Sequence, residues 1–180
     1  MGTGHRFLGR VMATELSRRS LFDRLRGGAK PVRPPWSRPE HIFTDSCTLC
    51  GKCIGECPTG ILKEGRAGYP VVDFDLGQCT FCGKCREVCP ADCFEYDAAR
   101  DPWTLKARIT NGCVETKGVA CRTCEEACDH GAIGFRPRIG GGSNPNVSRG
   151  QCTGCGACVL SCPVRAISLE DPVEQEEFPA

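Results

Sequence analysis

The sequence predicts an α+β fold, with two small tandem units behind a mostly irregular, basic N-terminal arm. Three observations carry this. The chain has 17 cysteines in 180 residues, and its hydrophobic share reaches 40% only when those cysteines are counted, so the core is thin and something else must staple it. After residue 40 the chain repeats a unit of about 32 to 39 residues four times, each around a cysteine run. Charge divides the chain as well. Residues 1–40 carry nine Lys or Arg against three Asp or Glu, and residues 41–180 carry 14 against 19, so a +6 arm precedes a −5 body within a net charge of +1.

The arm, residues 1–40, reads as a short helix from about Ala13 to Leu25 followed by an extended linker, because Pro31, Pro34, Pro35 and Pro39 break any longer regular element. No core of its own is expected there. It is either a solvated tail or a partner-docking arm, with Trp36 as a contact residue. The first unit is expected over 41–100, the second over 101–171, with the boundary in Ala98–Pro102 and an acidic tail at 172–180. In each repeat a cysteine run closes in a helical turn, a strand leaves it, and a second strand returns to the next run. Gly60–Lys63 should pair with Val71–Phe74, and Gly134–Arg138 with Asn146–Arg149, across turns at Gly65–Gly68 and Gly140–Ser143. Ile42–Thr44, Phe94–Asp97, Lys106–Thr110 and Ala166–Glu170 would supply the remaining strands of two small antiparallel sheets.

A cysteine share this high in a short secreted chain would suggest disulfides. The count is odd, however, and the first 28 residues contain no apolar stretch of secretory length. A reducing, cytoplasmic setting in which thiolates bind metal is therefore expected. No run approaches 18 apolar residues, so no membrane span is expected, and no nucleic-acid partner either.

Run one (Cys47, Cys50, Cys53, Cys57, Pro58), run two (Cys79, Cys82, Cys85, Cys89, Pro90) and run four (Cys152, Cys155, Cys158, Cys162, Pro163) all spell C-x-x-C-x-x-C-x-x-x-C-P. This is the spacing with which bacterial ferredoxins hold [4Fe–4S] clusters. A cubane needs four thiolates in a tetrahedral array. Three cysteines two residues apart wrap one face of it, and the fourth of each run reaches the other cluster. Gly51, Gly83 and Gly156 follow the second cysteine, where a left-handed backbone turns N–H groups toward sulfur. Zinc is the rival ligand, but zinc sites use two separated C-x-x-C pairs and do not need four close cysteines and a proline three times over.

Run three departs from the pattern. Cys113 is separated by seven residues from Cys121, which is followed by Cys124 and Cys128, with Asp129 in place of proline and Arg122 in place of glycine. A full fourth cubane with Cys113 as displaced ligand is expected; a degenerate, three-iron or labile site is the alternative. Pairing neighbouring runs gives Cys47, Cys50, Cys53 with Cys89; Cys79, Cys82, Cys85 with Cys57; Cys113, Cys121, Cys124 with Cys162; and Cys152, Cys155, Cys158 with Cys128. Short spacers favour this over a nested pairing of run one with four and two with three, which stays open. Cys93, four residues after Cys89, takes the place held by Ile61, Ala132 and Ala166 after the other runs, and is read as a small core hydrophobe, not a ligand. His5, His41 and His130 have no metal or triad spacing.

Beyond the generic runs stand SRRSLF at Ser17–Phe22, RPPWS at Arg33–Ser37, GYP at Gly68–Pro70, CRTCEEAC followed by AIGFRP at Cys121–Pro137, and CTGCGACVLSCPVRAI at Cys152–Ile167. In these the sequence resembles the NapF-type ferredoxin-like proteins of periplasmic nitrate reductase systems, a match that covers nearly the whole chain. The resemblance implies a cytoplasmic protein with several [4Fe–4S] clusters that acts on the immature catalytic nitrate reductase subunit before its export, in maturation by cluster or electron supply. The paired arginines look like a twin-arginine export signal, but DRLRGGAKPVRPP follows Phe22 with no hydrophobic stretch.

Clusters with four thiolates carry about −2 each when oxidised, so four would take the formal charge from +1 to about −7. A general ferredoxin-type carrier, or an electron-transfer subunit of a membrane-associated redox complex, is the alternative reading, and an electron donor protein a further possible partner. A basic arm is an element that a simple carrier does not need. No phosphate loop, acid–base pair or nucleotide fold is visible, so catalysis by this chain alone is not expected.

Overall fold

A computed structural model describes residues 30–95 and 101–172. The body begins at Pro31, earlier than the boundary expected after residue 40. The arm helix expected over 13–25, residues 96–100 of the expected unit boundary, and the tail from 173 on lie outside the described residues.

Residues 31–39 are stitched into the body and do not form a free linker. Val72 N–H donates to Val32 C=O at 2.8 Å, Trp36 N–H to Pro102 C=O at 2.6 Å and Glu95 N–H to Trp36 C=O at 2.8 Å. Pro34 is fully buried. Arg33 is the central staple. Its guanidinium forks onto the Glu40 carboxylate, donates to Pro70 C=O at 2.9 Å, and stacks 5.2 Å from the Phe43 ring and 5.3 Å from the Tyr69 ring. Charged, bidentate bonds in a half-dry setting are the strong ones. Arg33→Met is therefore expected to cost about 1.5–3 kcal/mol, read as a lower urea midpoint under anaerobic conditions. Arg33→Lys should not restore the loss, because an ammonium cannot fork or stack in the same way.

Helix α1 (Glu40–Ser46) occupies the place where a strand was expected at Ile42–Thr44. The reason is local: Pro39 sets the entry, Glu40 lies in the first turn where negative charge is favoured, and the helix sends Phe43 inward, edge-on to Phe94 at 6.0 Å. Burying that ring contributes on the order of 1.5–3 kcal/mol. Of the strand expected at Phe94–Asp97, the described residues 94 and 95 form one bridge, Ser37 with Phe94.

The rest follows in order. Helix α2 (Lys52–Gly55) and α3 (Lys84–Glu87) flank a hairpin of β1 (Leu62–Glu64) and β2 (Pro70–Val72), with Leu62 opposite Val72. In the second unit β3 (Lys106–Ile109) pairs with β6 (Ile167–Glu170), Ile109 opposite Ile167, so the first and last strands of the unit close on each other. Between them stand α4 (Thr123–Glu126), a five-residue hairpin of β4 (Ile133–Pro137) and β5 (Ser143–Val147), and α5 (Ala157–Ser161). The described residues thus form three two-stranded antiparallel sheets, where two sheets were expected. Two small cores result. One gathers Phe43, Ile61, Leu62, Val72, Cys85, Cys93 and Phe94, the other Ala107, Cys124, Ala132, Ile133, Cys152, Cys158 and Ile167. Cysteine is part of both, and cores this small are marginal without a staple.

Candidate metal centres

Three of the four short helices open on a glycine in the left-handed region: Gly51 (φ 68°) before α2, Gly83 (φ 76°) before α3 and Gly156 (φ 90°) before α5. Each helix then carries the third cysteine of its run inward, and Cys85 and Cys158 are buried. The residue before the second cysteine is left-handed too: Leu49 (φ 56°), Phe81 (φ 54°) and Gly154 (φ 75°). Two successive chain reversals bend each loop around the space beside it. The signal for the first was present as C-T-x-C-G in all three runs, but a Leu or Phe at φ > 0 is not something residue type suggests.

Run three reaches a similar end by other means. Arg122, at φ −125°, opens α4 without a left-handed residue, pairs with Glu125 at 3.2 Å and lies 5.1 Å from the Phe135 ring. The longer loop forms a 3₁₀ turn (Val114–Lys117) that buries Glu115, whose carboxylate accepts the Cys121 N–H at 2.6 Å. Sequence reading missed Glu115, because only the tertiary fold buries it. Glu115→Ala is expected to strand the Cys121 amide, cost about 1–3 kcal/mol and make the iron held by this run the first to be lost to a chelator. Iron release at wild-type rate would refute this.

The cysteines gather between neighbouring runs and are not nested. Group one, Cys47, Cys50, Cys53 and Cys89, lines one small cavity with Phe43 and Phe94. Group two, Cys57, Cys79, Cys82 and Cys85, lines a second with Trp36 and Ile61. Group three, Cys113, Cys121, Cys124 and Cys162, lines a third with Ile109 and Ile167. In group four, Cys158 feels the charges of Cys152 and Cys155, then of Cys124 from group three and of Cys128. Cys93, 1% exposed, lies in the group-one wall, against Cys89 and Cys47.

Burial pushes the thiols of Cys53, Cys79 and Cys124 up to about 11 and those of Cys85 and Cys158 up to about 12, and the charges of neighbouring cysteines add to it. Such thiols ionise only against strong positive charge, which bound iron supplies. Burial pushes the Cys57 thiol up as well, but hydrogen bonds from the Thr59 hydroxyl and the Ile61 backbone outweigh it and hold the thiol below its ordinary value. Backbone N–H groups already point at sulfur: Phe81 to Cys79 at 3.4 Å, Ala107 to Cys152 at 3.4 Å, Ala132 to Cys128 at 3.3 Å and Ala166 to Cys162 at 3.3 Å. Among the described residues no three His, Cys, Asp or Glu side chains converge as a single-ion site does. Sulfur-only donors in fours, apolar walls and N–H groups donated to sulfur instead fit cubane clusters.

These features define a ferredoxin-type iron–sulfur protein. Residues 41–90 and 117–166 each match the family described as a 4Fe-4S dicluster domain, so the chain carries [4Fe–4S] clusters, up to four. The chain is 47% identical over 145 residues to the ferredoxin-type protein NapF of Haemophilus influenzae, covering 81% of this chain and 82% of that protein. It is 40% identical over 160 residues to NapF of Escherichia coli K12, covering 88% and 97%. It is also similar, at 35% over 130 residues, to a component of the ion-translocating oxidoreductase complex of Methanosarcina acetivorans, covering 70% of this chain and 47% of that one. The chain belongs to the NapF family of ferredoxin-type proteins. No helix among the described residues is long and apolar enough to cross a membrane.

Proposed function

We propose that this protein works in the cytoplasm on the immature catalytic subunit of periplasmic nitrate reductase, supplying it with electrons or a cluster before export, and that the sixteen cysteines of groups one to four are the iron ligands, with Cys93 outside the set. The observation that carries this reading is that likeness to NapF runs through most of the chain, including the modified third run, and is not confined to the generic runs. The arm supports a dedicated partner. Residues 1–30 hold seven Lys or Arg against two Asp or Glu, so they complement an acidic surface. Trp36 is half-buried against the body and not part of a free arm, packing edge-on to Phe81 at 6.4 Å and under Arg86 at 5.1 Å.

An anaerobic pull-down of the tagged chain from cytoplasmic extract tests the reading. Recovery of the signal-bearing nitrate reductase precursor, lost when residues 1–30 are removed with iron content unchanged, is the expected result. Recovery of a membrane redox complex without the precursor would favour the second reading, an electron-transfer subunit, for which the similarity to the ion-translocating complex component speaks.

A further inference from the structure

Besides the Trp36–Pro102 hydrogen bond, the two units meet where a cysteine backbone of group two touches a cysteine backbone of group four. Cys79 N–H donates to Cys155 C=O at 2.8 Å. Trp103 fills the angle beside it: its indole N–H donates to Thr153 C=O at 3.0 Å, and its ring stands edge-on to Phe81 at 5.6 Å and to Phe74 at 5.8 Å. The fit is close enough that a Cβ on Gly154 would lie 2.6 Å from the Trp103 indole nitrogen, and one on Gly156 only 2.1 Å from the Phe74 ring. Both cysteine loops are thus held against the same aromatic wedge.

Within each unit the groups are interleaved, since run one and run two exchange Cys57 and Cys89, and run three and run four exchange Cys128 and Cys162. We infer that the four groups form one relay in the order one, two, four, three, that the Cys79–Cys155 hydrogen bond is the junction through which an electron passes between the units, and that Trp103 is the positioning residue of that junction. From sulfur to sulfur the path runs through Cβ, Cα and N of Cys79, one hydrogen bond, and the carbonyl carbon, Cα and Cβ of Cys155. With clusters bound, the residues of the junction would connect a reduced and an oxidised [4Fe–4S] centre for the transfer of one electron, with no bond broken and no proton moved. A low-potential one-electron donor loads one end and a one-electron acceptor unloads the other. Groups one and three, which stand outside the junction, become the ends. Chain order alone would have put group three in the middle.

This inference rests on the ligand assignment proposed above, and the test separates the two. The full chain, reconstituted anaerobically and reduced in steps with dithionite, is followed by electron paramagnetic resonance beside the variants Trp103→Phe and Phe74→Ala/Trp103→Ala. Iron per chain should be equal in all three. In wild type, spin–spin interaction across the units should add to the interaction within each unit. In Phe74→Ala/Trp103→Ala the cross-unit part should fall at least twofold, and freeze-quenched electron redistribution between units should slow at least tenfold. Trp103→Phe, which keeps the wedge and loses only the Thr153 bond, should lie between. Full iron with no cross-unit interaction in wild type, or with redistribution as fast in both variants as in wild type, would overturn the relay while leaving the ligand assignment standing. Iron short of four clusters in wild type would instead count against the ligand assignment, and with it the relay.

Discussion

Cys155→Ser is expected to cost the protein about four iron atoms, one cubane, while Cys93→Ser costs none. The two residues have the same chemistry and opposite placement. Cys155 sits in the group-four loop behind the left-handed Gly154, and its carbonyl takes the Cys79 N–H, so its loop is fixed on both sides. A serine there offers a hard oxygen of high pKa in place of a soft thiolate. Cys93 lies buried among Phe43, Ile61 and Phe94, against Cys89 and Cys47, in a group that already has its four cysteines. Its loss should alter packing by about 1 kcal/mol and leave the iron in place. Iron and acid-labile sulfide per chain decide the matter. Equal iron loss from both variants would make Cys93 a ligand.

A second large effect is expected at Gly156. Gly51 and Gly156 hold equivalent positions in their runs, and both are left-handed, at φ 68° and 90°. Gly51 has nothing within 4 Å of an added Cβ, so Gly51→Ala should cost only the backbone strain, about 1–2 kcal/mol. At Gly156 the same methyl would lie 2.1 Å from Phe74, whose ring is boxed in by Trp103. Strain of about 1–3 kcal/mol then combines with overpacking of about 1–3 kcal/mol. In a body with two small cores that is enough to loosen the second unit and release the group-four iron first. Anaerobic urea unfolding, with iron followed in parallel, checks this. Equal losses from Gly51→Ala and Gly156→Ala would show that the junction does not constrain the loop.

What could be read along the chain was what short range decides. The 3–3–4 spacing of Cys47, Cys50, Cys53 and Cys57 already says that three thiolates face one way and the fourth another, and Gly51 and Gly83 mark the reversals that make it so. The hairpins β1–β2 and β4–β5 fall where the turn residues put them, within one to three residues, and β3 and β6 form where strands are expected, though their pairing with each other is set by the tertiary fold. Ile42–Thr44 was misread because Pro39 and Glu40 act before apolar alternation does, and helix α1 follows.

Burial and contact between distant segments decided the rest. Glu115 is an ordinary surface residue by type until the longer third loop folds it under Cys121. Arg33 and Trp36 read as parts of a free arm until Glu40, Tyr69, Phe81 and Arg86 surround them. By itself, then, the sequence determined the cluster type and the two-unit plan, because a C-x-x-C-x-x-C-x-x-x-C-P loop encodes its own geometry. Only the tertiary structure decided that the loops carrying Cys79 and Cys155 meet. That depends on Trp103 meeting Thr153 across 50 residues of chain, a long-range contact that no local pattern records.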